Sequence, residues 1–156
     1  MRAGERGFTF VVVLVLLALT ALGVSLAGPI WYEQMRREHE RELLRIGTMY
    51  AKALRDYHDA NPGSDKQYPQ QLEQLLTDTR FVGMRRHLRK LYPDPLSPAR
   101  PWGLMRDPQG GIVGVYSQSF AAPIATRPID TGVVRLPPGQ HYSDWKFMGR
   151  TAQPEN

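Results

Sequence analysis

The chain has 156 residues, enough for one domain and a membrane anchor but too few for two independent globular domains. It contains no cysteine, which excludes disulfides, thiolate metal sites and cysteine nucleophiles. The formal net charge of +5 permits an anionic partner, such as nucleic acid or anionic lipid, without identifying one.

The first predicted element is a helix that begins in an apolar segment. No charged residue occurs from Gly7 to Tyr32, and Phe8 to Gly28 form an uncharged run. At about 1.5 Å per residue this run spans roughly 30 Å as a helix, the thickness of the hydrocarbon core of a bilayer. Trp31 and Tyr32 follow at the depth where aromatic rings favour the membrane interface. The pattern predicts a transmembrane helix over residues 8–28, with a kink at Pro29.

The same helix is predicted to continue as an amphipathic segment over residues 29–60. Apolar residues step by three and four along one face: Leu43, Ile46, Tyr50, Leu54 and Tyr57. Glu33 precedes Arg36 and Arg37 by three and four residues, a spacing that favours a helix. A helix of roughly 50 residues without internal caps indicates a partner along its length.

The start of the chain resembles the prepilin segment of type IV pilins and type II secretion pseudopilins. Met1–Gly7 is a short charged leader ending in glycine, and Phe8-Thr9-Phe10 opens the apolar run at once. The resemblance implies that a prepilin peptidase cuts between Gly7 and Phe8 and methylates the new N-terminal phenylalanine. It also implies that the leader lies inside and the globular domain outside the bacterial inner membrane. Pro29 matches the kinking proline of many family members.

Val12 departs from the family pattern. Members of the family usually have a glutamate at the fifth residue after the cut, where its buried carboxylate neutralises the N-terminal amine of a neighbouring subunit. A charge in the bilayer costs a few kcal/mol unless it is paired, so the loss of this glutamate changes assembly. The resemblance therefore implies a minor subunit, often placed at the filament tip. A divergent system with altered assembly chemistry is the alternative.

A cleavable secretory signal is the competing interpretation of the same residues. After the basic leader, Phe8–Leu22 would be its apolar region and Ser25-Leu26-Ala27 its small-x-small cleavage site. It leads to a second function, a periplasmic binding module that is released after Ala27 or held by an uncleaved anchor. The first residue of the mature protein distinguishes the two, because the prepilin interpretation requires Phe8.

Residues 61–148 are predicted to form a small α+β domain of pilin-like type. Residues 61–65 break the long helix, and Pro69 can open a short helix with a buried leucine stripe. A third helical piece is predicted over Gly83–Leu91. Further on, Trp102–Arg106 and Ile112–Tyr116 flank a turn-rich stretch and predict a β-hairpin.

The end of the domain carries fewer signals. Tyr142–Met148 could form one more strand with Trp145 and Phe147 facing inward, and residues 149–156 are predicted to be disordered. Trp102 is expected to pack on the apolar face of the long helix. Ser117–Gly139 offers too few carboxylates for a calcium site, which usually takes several acids.

A basic cluster is the one candidate docking surface. Arg85, Arg86, Arg89 and Lys90 would share one face of the predicted helix over Gly83–Leu91. Such a face can dock an acidic partner subunit or DNA, or it can be an ordinary solvated surface. No phenylalanine, tyrosine or tryptophan that could stack on bases interleaves these four cations, which disfavours nucleic acid.

The sequence shows no catalytic constellation. The four histidines lie in different local settings and none has a partner at metal-binding spacing: His39, His58, His87 and His141. We therefore predict neither an enzyme nor a cofactor or metal site. The expected role is a structural subunit of a secretion or pilus fibre, with a prepilin peptidase, other pilin-like subunits and inner-membrane lipids as partners. Secretion is favoured because no cysteines brace the C-terminal region.

Overall fold

The computed structural model describes the backbone of residues 5–60 and 66–149, and the side chains of residues 7–23, 31–60 and 66–149. Two compact units are present, Met1–Glu38 and His39–Asn156. The fold class is α+β, as the sequence predicts. Residues 61–65, where we predicted the helix to break, and residues 150–156 of the predicted disordered tail lie outside the described residues. Gly149, the first residue of that tail, is buried and donates its N–H to the carbonyl oxygen of Val113 at 2.9 Å, so the prediction of disorder is wrong there.

One long helix, α1, dominates the first part of the chain. It spans Glu5–Asp59, 55 residues, and matches the single helix predicted from the hydrophobic pattern. Over the part of the chain that the structure describes, no helix combines the length and the apolar character that a membrane crossing requires. The predicted kink at Pro29 falls among side chains outside the described ones.

The core of the second unit is built on one face of α1. The predicted apolar stripe is confirmed, because each of its members is 5% exposed or less: Leu43, Ile46, Tyr50, Leu54 and Tyr57. Trp102 packs against this face with its ring 5.5 Å from that of Tyr50 in an edge-on arrangement, also as predicted. Steps of three and four residues place the stripe on one side of the helix, which is why it is buried as a unit.

Among the residues that the structure describes, five short strands complete the second unit. Their bounds are β1 Gly103–Arg106, β2 Ile112–Tyr116, β3 Ile129–Asp130, β4 Arg135–Leu136 and β5 Phe147–Met148. The first sheet is antiparallel in the order β1-β2-β5, and β3 pairs with β4 in a second, two-stranded sheet. The predicted hairpin is confirmed as β1 and β2.

The hairpin turn is organised by one side chain. The Asp107 carboxylate accepts the N–H groups of Gln109 at 3.0 Å and Gly111 at 2.7 Å. Gly110 adopts a φ of 88°, a conformation that favours glycine. An aspartate that bonds the backbone two residues on is typical of tight turns.

Two predicted elements differ in the structure. The short helix after Pro69 is a 3₁₀ helix over Leu72–Leu75, in which Leu75 is fully buried. The strand predicted over Tyr142–Met148 begins instead as a 3₁₀ helix over Tyr142–Asp144, and only Phe147–Met148 is extended in a sheet. The Asp144 carboxylate accepts the N–H groups of Gln140 and His141, both at 2.9 Å, and so starts a turn there. Trp145 and Phe147 are nevertheless buried, as predicted.

The helix predicted over Gly83–Leu91 is wrong. This segment has no helical turn. Its Arg85 instead forms an isolated antiparallel bridge with Asp78, which precedes the segment. Both His87 N–H and Leu88 N–H donate to the carbonyl oxygen of Leu75 at 2.9 Å, so the backbone bonds across the loop instead of along it. Gly83 has a φ of 121°, which is incompatible with a right-handed helix.

Candidate assembly segment and docking surface

The candidate processing residues, Gly7 and Phe8, and the candidate assembly residue Val12 lie in the first turns of α1. Phe8 is 73% exposed and Val12 is 38% exposed. A Cβ atom added at Gly7 would meet nothing within 4 Å, so the Gly7–Phe8 junction is open on that side. The remaining assembly residue, Pro29, lies among the side chains outside the described ones, as do leader residues 1–4.

The described part of the apolar segment of α1, residues 8–23, has exposed side chains throughout. Seven consecutive large apolar side chains, residues 11–17, are between 38% and 60% exposed. Because 3.6 residues complete one turn, seven residues cover the whole circumference of the helix. A helix that is apolar all round normally lies inside a protein assembly or a membrane.

We define the basic loop as residues 79–90, which contain the predicted cluster. Arg85, Arg86, Arg89 and Lys90 are all exposed, but they do not share a helical face, because the segment is not helical. The Arg85 guanidinium lies 4.8 Å from the centre of the Phe81 ring, and the Lys90 ammonium 5.1 Å from the centre of the Tyr92 ring. The structure therefore places the four cations along an irregular loop.

Arg80, the first cation of the basic loop, has a different role from the four that follow it. Its Nε and Nη2 atoms donate to the carboxylate of Asp78 at 2.9 and 2.7 Å, and Nη2 also donates to the carbonyl oxygen of Tyr57 at 2.8 Å. His87 Nε2 lies 3.1 Å from the same carboxylate. The Arg80 guanidinium lies 3.6 Å from the centre of the Tyr57 ring. We call these four residues the Asp78 cluster.

Electrostatics in the Asp78 cluster favour the ion pair. Hydrogen bonds from Arg80 hold the pKa of Asp78 well below its usual range, against the opposing effect of burial. The same hydrogen bonds raise the pKa of Arg80. Burial raises the pKa of the Tyr57 phenol. The Asp78 side chain is fully buried, and the paired Arg80 guanidinium compensates its negative charge. Arg80 therefore adds no free positive charge to the basic loop.

Two more buried carboxylates hold the domain together. Asp94 accepts the Ser117 hydroxyl at 2.6 Å and the Leu96 N–H at 2.9 Å. Glu40, on α1, accepts the Tyr142 hydroxyl at 2.8 Å and the Ile124 N–H at 2.7 Å. Sequence analysis missed both, and Asp78 as well. Only the Asp-x-Arg spacing of Asp78 and Arg80 offered a local signal for any of them.

The histidines do not converge on one another. His58 lies 3.2 Å from Asp59 and stacks on Tyr68 with ring centres 4.3 Å apart. His141 lies 2.6 Å from the carbonyl oxygen of Phe120. Among the residues that the structure describes, no three His, Asp or Glu side chains form a group that could hold a metal ion.

The family resemblance is firmest over the first part of the chain, from about Arg6 to Tyr57, and is weaker beyond it. It depends on the Gly7–Phe8 junction, the apolar run and the helical continuation. No family model, curated protein or solved structure matches the chain. The interpretation of its function therefore depends on these residues and on their geometry.

Proposed function

We propose that the chain is a minor, pilin-like structural subunit of a fibre assembled at the bacterial inner membrane. The fibre would belong to a type II secretion or type IV pilus system and support protein secretion, and the chain would have no enzymatic role. One observation carries the proposal. A charged leader ending at Gly7 is followed directly by Phe8 and an uncharged run, and the 55-residue helix that contains them is apolar on every face over residues 11–17.

The exposed apolar segment supports an assembly role. Residues 11–17 would leave a full turn of valine and leucine side chains in water if the chain acted alone. Burial of apolar surface stabilises a protein by about 25 cal/mol per Å², so this segment favours contact with lipid or with other helices. Other pilin-like subunits and inner-membrane lipids are the partners that fit this surface.

The membrane anchor belongs to the same proposal and rests on the sequence. Residues 8–28 carry no charge, and Trp31 and Tyr32 follow, both largely exposed. With the leader on the cytoplasmic side, as the resemblance implies, a single anchor in this segment would leave the second unit, which starts at His39, in the periplasm. Aromatic side chains at the end of an apolar helix are typical of the membrane interface.

Val12 supports a minor position in the fibre. Its side chain is apolar and partly exposed, so it offers no carboxylate to a neighbouring amine. A subunit of this kind can offer its own N-terminal amine to a neighbour that carries a glutamate. It would therefore assemble beside such subunits more readily than beside its own copies.

Processing by a prepilin peptidase tests the proposal. The full chain is expressed with and without the peptidase, and the mature product is analysed by mass spectrometry. We expect the loss of seven residues and a methylated Phe8; since Arg2, Arg6 and Glu5 leave together, the net charge changes from +5 to +4. As a matched control, Gly7→Leu changes the cleavage site without a clash, because a side chain there meets open space.

Each outcome of this experiment assigns a different class of protein. Cleavage that depends on the peptidase and on Gly7 supports the pilin-like subunit. A mature chain that begins at Gly28 would contradict the proposal and identify a secretory signal. An uncleaved chain beginning at Met1 would contradict it as well, and would favour a periplasmic module on a permanent anchor.

A further inference from the structure

Exposed cations and exposed apolar side chains occur together in the basic loop. Val82 is fully exposed and Met84 is 72% exposed, and Arg85 and Arg86 follow directly. The neighbouring Phe81 is half-buried, with the Arg85 guanidinium 4.8 Å from the centre of its ring. A single exposed apolar residue is ordinary on a protein surface. Here, however, two of them form a tip that adjoins a row of positive charges.

The base of the loop is fixed by the fold. Asp78 N–H donates to the carbonyl oxygen of Arg85 at 2.9 Å, and the His87 N–H donates to that of Leu75 at 2.9 Å. The Asp78 carboxylate binds Arg80, near the start of the basic loop, and His87, in its second half. A loop whose ends are already ordered loses less conformational entropy when a partner binds its tip.

Apart from Arg80, the cations of the basic loop have no acidic partner in the part of the chain that the structure describes. None of Arg85, Arg86, Arg89 and Lys90 forms an ion pair with a described carboxylate. Asp59, which lines a shallow pocket with Arg85 and Arg86, lies instead within 3.7 Å of Lys66 and 3.2 Å of His58. The charges of the loop are therefore available to carboxylates from outside.

We propose that the basic loop docks an acidic surface of a partner protein, with Val82 and Met84 contacting an apolar centre and Arg85 and Arg86 pairing with surrounding carboxylates. Charge complementarity selects an acidic partner. An apolar centre within a charged rim is the usual anatomy of a protein interface.

Two observations favour a protein over other anionic partners. Arg80 donates to the carbonyl oxygen of Tyr57, which lies near the C-terminal end of α1. The apolar segment belongs to the N-terminal part of the same helix. The preference over a lipid surface therefore rests on the proposed function, in which the apolar segment is the anchor. The Phe81 ring is half-buried and the Arg85 guanidinium lies 4.8 Å from its centre, which leaves less of the ring for base stacking and disfavours single-stranded nucleic acid.

The proposal is tested with a synthetic helical peptide that has leucines on one face, bordered by glutamates. A second peptide with lysines in place of the glutamates is the matched control. The full chain, labelled at its methionine methyl groups, is placed in nanodiscs of neutral lipid. We expect the acidic peptide to shift the Met84 methyl resonance and the lysine peptide to leave it unchanged. Raising the salt concentration from about 50 to about 300 mM should weaken binding several-fold, because exposed charges are screened.

Variants separate the loop from net charge. Peptide fluorescence anisotropy should show that Arg85→Ala with Arg86→Ala weakens binding by about tenfold. Arg127→Ala with Arg135→Ala removes the same charge from exposed positions outside the loop and should change binding less than about twofold. Met84→Ser should weaken binding by about fivefold because it removes apolar contact area. Phe120→Ser, at another exposed apolar residue, should leave it unchanged.

Three results would overturn the proposal. Equal losses in the two double variants would show non-specific attraction between net charges. A Met84 shift that appears only in nanodiscs containing anionic lipid would assign the loop to a lipid surface. No response to the acidic peptide would show that the loop is an ordinary solvated segment. Cleavage after Gly7 is measured separately, so a failure of the proposed function is distinguishable from a failure of the docking proposal.

Discussion

The Tyr50 hydroxyl and the Tyr92 backbone bind each other in both directions. The hydroxyl donates to the Tyr92 carbonyl oxygen at 3.1 Å and accepts the Tyr92 N–H at 2.9 Å. The indole Nε1 of Trp102 donates to the same carbonyl oxygen at 2.8 Å. Tyr50 is 1% exposed, and burial raises the pKa of its phenol. One hydroxyl thus joins α1 to the segment that leads into the hairpin.

Removal of that hydroxyl should destabilise the domain. We expect Tyr50→Phe to lower the free energy of unfolding by about 1–3 kcal/mol, because the Tyr92 N–H loses its acceptor in a poorly hydrated place. Denaturant unfolding monitored by tryptophan fluorescence measures the change, since Trp102 contacts both residues. Tyr32→Phe, at a position that is 69% exposed, is the matched control and should have no effect. Equal stability of the two variants would contradict this role for Tyr50.

Close packing of α1 on β5 requires a glycine. A Cβ atom at Gly47 would lie 2.5 Å from the Phe147 ring, and that ring is fully buried. We expect Gly47→Ala to lower the free energy of unfolding by about 1–3 kcal/mol through overpacking, even though alanine is the better helix former. Gly23→Ala meets open space and should not destabilise the fold. Phe147→Leu in the Gly47→Ala background should recover part of the loss, whereas additive losses would contradict a direct clash.

The Asp78 cluster makes the domain sensitive to acid. Because Arg80 holds the pKa of Asp78 below its ordinary value, this ion pair stabilises the fold fully above the unfolded-state pKa of about 4. The stabilisation is lost as the pH falls below that value toward the lower pKa of the folded state. We expect Asp78→Asn to cost about 3 kcal/mol at neutral pH, since it leaves Arg80 without its partner.

The pH profile distinguishes this pair from general acid unfolding. The free energy of unfolding of Asp78→Asn should vary less between about pH 2 and pH 4 than that of the unmodified chain. Asp56→Asn, at an exposed position on α1, should keep the original profile. A parallel profile for Asp78→Asn would show that the acid sensitivity comes from other carboxylates.

The sequence correctly predicted the elements that depend on local hydrophobic periodicity or on turn residues. The stripe from Leu43 to Tyr57 and the hairpin around Asp107–Gly111 both depend on local periodicity or turn chemistry, and both are present. The predicted helix over Gly83–Leu91 failed because the buried Asp78 binds Arg80 before the segment and His87 within it. The strands β3 and β4, of two residues each, are too short to carry a periodic signal.

The burial of Glu40 and Asp94 could not be predicted from the sequence for a related reason. Glu40 meets Tyr142 across 102 positions of the chain, and Asp94 meets Ser117 across 23. Nothing local distinguishes such residues from exposed acids, because only the tertiary fold brings the partners together. The basic loop illustrates the same limit, since its composition was readable but its shape and the separate role of Arg80 were not.

A glutamate at position 12 should change how the chain associates. In the proposed fibre, the amine of Phe8 would lie among apolar helices, and each contact between two copies would leave it unpaired at a cost of a few kcal/mol. Val12→Glu would supply the missing carboxylate to a neighbouring copy. We expect at least about a tenfold increase in self-association, which corresponds to 1.4 kcal/mol or more. Because the chain has no cysteine, cross-linking through Leu19→Cys reports only on the approach of two copies at this position of α1.

Two controls make the test specific to the pairing of charges. Val13→Glu introduces the same charge one residue further along α1, about 100° around the helix, and should not increase cross-linking. Without the peptidase the Phe8 amine does not exist, so Val12→Glu should then give no gain either. If the unmodified chain already forms long homopolymers and Val12→Glu changes nothing, the minor-subunit assignment is wrong. An equal gain from both glutamates would also contradict it, because a carboxylate that acts at either position does not pair with one fixed amine.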